Sequence, residues 1–398
     1  MSSDPDLAVI GAGPAGIAAA ITAARSGART LLLERQGFVG GIPVQGYLST
    51  LCGLYLCRAE DRGPTMLYRG FPREVAIRLM HLDGVQAPVR MGKTYVLPFR
   101  PGSFYALAQQ LLSSEPHLRV YCNARFCGAD VENRQLQGIN VALGERSWQI
   151  RPSLVIDASG EALVVRAAGA PLLLADPARQ APALAFPLYG LRGAGISVSK
   201  AARWRMLVVR AAEQGLLAPE ASWISFLPAV DADCLLLKLN LGPMLQKQPQ
   251  LSTEQLQAGA NQLKFSVVEF LTNNVPELSD CSTLAEESPV LHRTGSRGAG
   301  EYILAEQDVL GAAKFPDAAA KGCWPVERWG SNGAVEVRYL SDGHYYEIPK
   351  RALQSSTVDN LFMAGKSISA DCGAIASARV IGSCLATGEA AALLALKN

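Results

Sequence analysis

The sequence predicts an α/β protein: a Rossmann-like nucleotide-binding domain joined to a second, mixed α+β domain that serves as a substrate or cap domain. Three observations predict it. The apolar run Leu7–Ile10 breaks into Gly11, Gly13 and Gly16 and continues as an Ala-rich stretch. A second apolar run, Thr30–Leu33, closes on Glu34, eighteen residues after Gly16. The texture of the chain then changes near residue 173 and returns near 351, so the first domain is discontinuous (1–172 and 351–398) around a second one (173–350).

Each part of the first unit has a physical reason. Gly11 permits the tight turn out of the strand, Gly13 lets backbone approach a pyrophosphate, and Gly16 lets helix and strand pack closely. Pro14 and Ala15 open the helix, whose N-terminal N–H groups and positive dipole end favour phosphate. Glu34, followed by Arg35, puts a carboxylate where a ribose diol needs an acceptor. The pair Gly40–Gly41 follows at once.

Further along, Ser103–Ser113 reads as a helix with Phe104, Leu107, Ala108, Leu111 and Leu112 on one face. A helix is expected near 43–55, mixed structure over 58–102, a strand at Leu118–Cys122 and a short meander over 125–150. Leu154–Gly160 reads as a buried strand ending in a small-residue turn. In the second domain, strands are expected at 184–191 and 234–241, with helices near 199–214 and 253–271. Asn360–Gly365 reads as a strand into a glycine turn, and 374–396 as one long helix.

The 398 residues suffice for two to three domains and a large core. A net charge of +2, with 18% charged residues, argues against bulk nucleic acid as partner. The nine cysteines are scattered, without a CxxC, a Cys/His quartet or a disulfide framework, so reduced thiols, no metal site and a cytoplasmic location are expected. The N-terminal apolar run is the nucleotide strand itself, preceded by Asp4 and Asp6 rather than basic residues, so it is not read as a signal peptide. No run is long and apolar enough for a membrane span.

Five blocks carry a family resemblance. They are the glycine unit with Glu34 and Gly40–Gly41; Val155–Glu161; Arg293–Tyr302 with Glu306, Asp308 and Val309; Tyr345–Pro349; and Asp359–Gly365 through Asp371 to Arg379 and Gly388. Together they resemble the FAD-dependent oxidoreductases of the glutathione-reductase-like flavoprotein superfamily, of the type with a "GEY…DV" block, a "YxIP" element and a C-terminal Ala-Gly. The resemblance implies an FAD-binding first domain. It places the ADP half on the first unit, with Glu34 on the ribose, and a backbone contact to adenine near Phe126. Ala158, Ser159 and Gly160 fall near the pyrophosphate, and Gly365 and Asp371 near the ribityl chain. A helix N-terminus at Ala374 and Ile375 would face the flavin pyrimidine. The chain departs from the family pattern at Lys366, at Cys372, and at Thr294, Gly295 and Ser296, which leave Arg293 and Arg297 from an Arg-rich block.

Four residues stand out as candidate catalytic groups: Arg379, Arg293, Cys372 and His292. Arg293, Arg297 and Arg379 suit a bidentate substrate carboxylate, or equally ion pairs to Glu301, Asp308 or Asp371. Cys372 is read as a spectator thiol near the flavin, ahead of a redox partner or a covalent tether. His292 is the best general-base candidate beside a structural reading. Cys52 and Cys57 have the spacing of a redox disulfide but the wrong distance from Gly41, so packed thiols are favoured. Tyr345 and Tyr346 are read as core packing, and Trp324 and Trp329 as walls of a pocket.

Only one complete glycine fingerprint is present. The leading expectation is therefore an FAD-dependent dehydrogenase or oxidase taking hydride from an amine, alcohol or C–C bond of a small or medium-sized metabolite. An NAD(P)H-fed monooxygenase or reductase, with NAD(P)H or O2 as transient co-substrate, is the alternative. A flavin-stabilised non-catalytic or tRNA-modifying protein comes third, and the near-neutral charge weighs against RNA.

Overall fold

The run Leu7–Ile10 is the central strand of a five-stranded parallel sheet in the computed structural model, which describes residues 4–174, 180–192, 196–284 and 288–397. Strand order is Leu361–Met363, Leu154–Asp157, Leu7–Ile10, Thr30–Leu33, Leu118–Tyr121. Ile10 is level with Asp157 on one side and Leu33 on the other, and Asp157 with Met363. Gly11, Glu34, Ala158 and Ala364 therefore leave the sheet together at its carboxyl edge, where open α/β sheets bind ligands.

The inner strands are apolar on both faces because both faces are covered. Leu7, Val9, Leu32, Ile156 and Phe362 pack with the helices Pro14–Arg25 and Ile381–Ala395. Ala8, Ile10, Leu31, Leu33 and Met363 pack against an antiparallel meander, Ala124–Glu132, Gln135–Leu143 and Arg146–Ile150. The meander expected at 125–150 is thus present.

The cap is an antiparallel sheet ordered Ile224–Pro228, Cys234–Asn240, Ala183–Tyr189, Val290–Leu291. Leu235, Leu237 and Leu239 face the helices Val198–Glu213 and Thr253–Asn274 in a separate apolar core. The second helix starts at a reciprocal cap: Ser252 Oγ accepts from Gln255 N, and Gln255 Oε1 accepts from Ser252 N. Leu236 and Ala185, on the other face, pack on Ile42, Tyr47 and Leu48 of the nucleotide domain. Residues 304–350, grouped with the second domain on texture, contribute Leu304, Val309, Val326, Tyr346 and Ile348 to the same apolar cluster as the nucleotide sheet.

Two expectations are corrected and one is filled in. The helix near 43–55 is only Ile42–Gln45, followed by a strand at Thr50–Leu51; Tyr47 (φ 48°) and Gly53 (φ 82°) turn the chain in the left-handed region. The mixed stretch 58–102 contains a helix, Gly70–Asp83, burying Phe71, Val75, Ala76 and Leu79. The long C-terminal helix is two, Ala374–Ala378 and Ile381–Ala395, broken where Val380 is extended (ψ 158°). The break lets Gly382 N donate to Cys52 O at 2.9 Å. Among the described residues no helix is long and apolar enough to cross a membrane.

Candidate functional site

At the carboxyl edge the glycines form a cradle. Gly11 (φ 100°) is in the left-handed region, and a Cβ there would lie 2.7 Å from Ala158 O. A Cβ on Gly16 would run into Gly11 O. Gly40 N donates to Ala12 O at 2.8 Å, and a Cβ on Gly41 (φ 58°) would lie 2.9 Å from Gly13 Cα. Gly13 differs: its backbone is extended, and a Cβ there would meet nothing within 4 Å. The space above it is open, and no side chain caps the helix beginning at Pro14, so the first-turn N–H groups of Ala15 and Gly16 are left for a ligand. That cradle fits the pyrophosphate of a dinucleotide such as FAD.

Glu34 is buried beside it, its Oε2 accepting from Ala12 N at 2.7 Å and Oε1 from Gln36 N at 2.8 Å. Arg35 is exposed next door. A Glu34→Ala variant is expected to lose about 1–3 kcal/mol of stability, because the buried Ala12 N–H loses its acceptor. We also expect weaker FAD binding, read by urea melts and by flavin titration.

The next turn is used differently from the expectation. Asp157 is fully buried; its Oδ1 accepts from Ser159 Oγ (2.6 Å) and Ser159 N (3.1 Å), and its Oδ2 from Val164 N (2.8 Å) and Val165 N (3.2 Å). Burial pushes its carboxyl up from the usual range. Ala158 packs under Gly11 and Gly16, Ser159 Oγ also accepts from Leu163 N (3.1 Å), and Gly160 N donates to Ser367 Oγ (3.2 Å). Ser159 Oγ and the N–H groups of Ser159 and Gly160 are therefore engaged within the protein. Lys366 lies across Gly160, donates from Nζ to His292 O (3.2 Å) and is 3.9 Å from Glu161.

Gly365 (φ 62°) meets the first helix: a Cβ there would lie 2.8 Å from Ala15 Cβ. Asp371 does not extend a free carboxylate. Its Oδ1 accepts from Gly373 N (2.8 Å) and Ala374 N (2.7 Å), and its Oδ2 from Glu306 N (3.0 Å). The expectation of a free helix N-terminus at Ala374 and Ile375 is revised accordingly: both residues are fully buried and Asp371 supplies the cap. Phe126 pairs with Val141 in the meander, beside a bulge, near the edge strands.

A second group of side chains gathers where the cap sheet meets the nucleotide domain. Lys238 Nζ and Arg293 Cζ each lie 4.1 Å from the Trp329 ring centroid. Arg293 Nη1 donates to Ala181 O, and Arg379 Nη2 donates to Gln180 Oε1 at 3.2 Å. Gln180 Nε2 in turn donates to Glu327 O at 3.0 Å, and Glu327 Oε2 accepts from Trp324 Nε1 at 3.2 Å. Burial, aided by the charges of Arg293 and Arg379, pushes Lys238 down to about 8; burial with the charge of Arg379 lowers Arg293, and burial alone lowers Arg379; the guanidinium groups still keep their protons at neutral pH. Lys238 escaped the sequence reading, though a lysine inside the apolar strand Cys234–Asn240 was the signal for it.

The other candidates are placed elsewhere. Arg297 is buried with its fork on backbone carbonyls of Ala370 (2.8 Å), Gly295 (3.1 Å) and Leu174 (2.9 Å), so it is a structural post rather than a carboxylate clamp. Cys372 Sγ sits 3.6 Å from Arg297 Nη2. His292 is exposed, beside Glu161 and Lys366, and burial of its ring surroundings pushes its pKa down. Cys52 and Cys57 are unlinked, and burial pushes both thiols up to about 12, so they are neutral. Tyr346 is fully buried with its hydroxyl 2.8 Å from Ser377 Oγ, as core packing requires. Two surface depressions, one at Asp317 and Arg351 and one at Ser26 and Lys397, touch neither the cradle nor the Lys238 junction.

Comparison with known proteins follows this geometry. No curated protein matches the sequence significantly. The fold is similar to that of a geranylgeranyl bacteriochlorophyll reductase-like protein from Thermoplasma acidophilum, at 14% identity over 98% of this chain and 77% of that one, with a TM-score of 0.47. It is also similar to a flavin-dependent brominase carrying three substitutions (12% identity, 99% and 80% covered, TM-score 0.48). A third is the anhydrotetracycline hydroxylase OxyS from Streptomyces rimosus (11% identity, 92% and 56% covered, TM-score 0.40). The family model described as FAD dependent oxidoreductase matches residues 6–397, nearly the whole chain with its glycine cradle and Glu34, and the protein belongs to that family of FAD-binding enzymes.

Proposed function

We propose that the protein is an FAD-dependent dehydrogenase or oxidase of the glutathione-reductase-like kind, taking hydride from an amine, an alcohol or a C–C bond of a small or medium-sized metabolite. The observation that carries the reading is the Lys238–Arg293–Arg379 junction. Lys238 shares a face of its strand with Leu236, which packs on Ile42, Tyr47 and Leu48 after Gly40–Gly41, and it shares the Trp329 ring with Arg293. One complete glycine fingerprint in the sequence supports one bound nucleotide rather than two. When bound, FAD supplies a two-electron acceptor.

The chain's own residues hold and orient. Gly13, with the first-turn N–H groups of Ala15 and Gly16, receives the pyrophosphate, and Glu34 the ribose. Gly40 and Gly41 close the cradle, with Arg35 and Phe126 toward the adenosine half, while Ala158, Ser159, Gly160, Gly365, Asp371, Ala374 and Ile375 shape the wall behind it through contacts within the protein. Arg293 and Arg379 fix the metabolite, Trp329 walls it, and Cys372 and His292 lie at the periphery. O2 is the co-substrate in the oxidase form.

The test is anaerobic mixing of the FAD-loaded protein with NADH, NADPH and a panel of amines, alcohols and acids. The visible flavin band is expected to persist with either pyridine nucleotide and to bleach with a metabolite. Rapid bleaching by NAD(P)H alone would instead support the monooxygenase or reductase reading.

A further inference from the structure

On the reading that this junction is the substrate site, we propose that the substrate is a small carboxylate-bearing metabolite, matched best by a dianion, and that Lys238, Arg293 and Arg379 hold its charge.

Lys238 stands on the cap strand two residues from Leu236, on the face turned away from the cap helices. Its ammonium makes no hydrogen bond and no ion pair among the described residues; its neighbour is the indole of Trp329, which it shares with Arg293. Arg293 and Arg379 likewise have no carboxylate within ion-pair distance among the described residues. Arg379 Nε is buried and has no hydrogen-bond partner among the described residues, so one edge of its fork is unused. The carboxylate that faces all three is Glu327, and it is engaged by Trp324. Among the described residues, three positive groups face one negative, an excess of two.

Such an arrangement is costly without a ligand. Desolvated like charges destabilise one another, and each lacks the counter-charge that would offset its lost hydration. A bound carboxylate supplies that counter-charge and takes charge-assisted bonds from a guanidinium fork. All three cations retain some accessible surface although protein surrounds them, as expected of groups facing a ligand space rather than a packed core. The neighbouring Leu236, Ile42 and Tyr47 offer an apolar side for the rest of a small acid.

The experiment uses FAD-saturated protein, so that the pyrophosphate cradle is already filled. Succinate, propionate and succinamide are titrated at ionic strength held constant with KCl, read by melting temperature and by flavin difference spectrum. Succinate is expected to raise the melting temperature saturably and to bind at least about tenfold more tightly than propionate, with succinamide inert. Lys238→Met and Arg293→Met are each expected to weaken succinate at least about tenfold. Without ligand, Lys238→Met should melt no lower than the parent, since it removes a desolvated like charge and keeps the stem volume. Raising the pH from 7 to 9 should weaken succinate, because Lys238 (about 8) discharges. The other groups facing it are Arg293, which burial pushes down to about 9 and which adds to the loss at the top of that range, Arg379, Glu327 and the Cys52 thiol, which burial pushes up to about 12.

Equal binding of succinate and succinamide, or a succinate effect that survives both variants, would overturn the proposal. So would an NADPH-induced shift lost in the same variants, which would give the cations to a nucleotide phosphate. These readouts use oxidised flavin without turnover. Their failure therefore leaves metabolite-driven bleaching standing, and failure of the bleaching test leaves the measured anion affinity standing.

Discussion

Gly16→Ala is expected to lose FAD and about 3 kcal/mol or more of stability, whereas Gly13→Ala is expected to fold within about 1 kcal/mol of the parent and still bind FAD at least about tenfold more weakly. The contrast follows from what a methyl group meets. At Gly16 it collides with Gly11 O and lies 2.9 Å from Gly11 C, backbone atoms locked between strand and helix. At Gly13 it meets nothing within 4 Å, and the backbone there (φ −75°, ψ −177°) suits any residue. The apo protein therefore has no reason of its own to need glycine at 13. The need appears only when a pyrophosphate approaches the backbone. Thermal melts of the two apo variants, followed by flavin titration, separate the effects. A Gly13→Ala protein with full FAD affinity would remove the pyrophosphate from this cradle.

The second large effect is at Asp157. Its two carboxylate oxygens hold the turn Ser159 and start the helix Leu163–Ala167, which begins at Ala162 with the strained φ of 52°. Asp157→Ala strands the N–H groups of Val164 and Val165 in the core, at about 1–3 kcal/mol each, so a loss of about 4 kcal/mol is expected in urea melts. Asp157→Asn keeps an acceptor and should lose about half as much. The pH dependence has a definite sign. Because burial raises the folded-state pKa above 3.8, the native state holds the proton more tightly. The group's stabilising contribution is complete below 3.8 and falls as pH rises through the raised folded value. Asp157→Asn removes that slope, and an unchanged slope would assign it to other carboxylates.

Much of the nucleotide domain was legible because its signals are local. Leu7–Ile10, Thr30–Leu33, Leu154–Asp157 and Leu361–Met363 are short apolar runs, each ending in a turn or an acid, and each is a strand. The reciprocal cap at Ser252 and Gln255 likewise marks where its helix begins. What escaped depends on distant partners. Arg297 and Arg379 look equivalent in sequence. Only the carbonyls of Ala370 and Leu174, brought in from elsewhere, make Arg297 structural, and only the buried, unpartnered Nε sets Arg379 apart. Asp371 looked free for a ligand until the turn at Gly373 folded back onto it. The helix expected at 43–55 failed because apolar periodicity there serves the cap contact through Ile42, Tyr47 and Leu48, not a helix face. The strand Ile224–Pro228 was missed because it is short and ends in proline.

The contact between Ala15 and Gly388 has a consequence for how the protein is made. A Cβ on Gly388 would lie 2.8 Å from Ala15 C, so the helix Ile381–Ala395 seats directly on the first turn of the cradle helix. A ribosome delivers these two turns in the opposite order from their need: the first emerges early and waits for a partner far along the message. The cradle helix therefore gains this packing only after the chain has been made through Gly388.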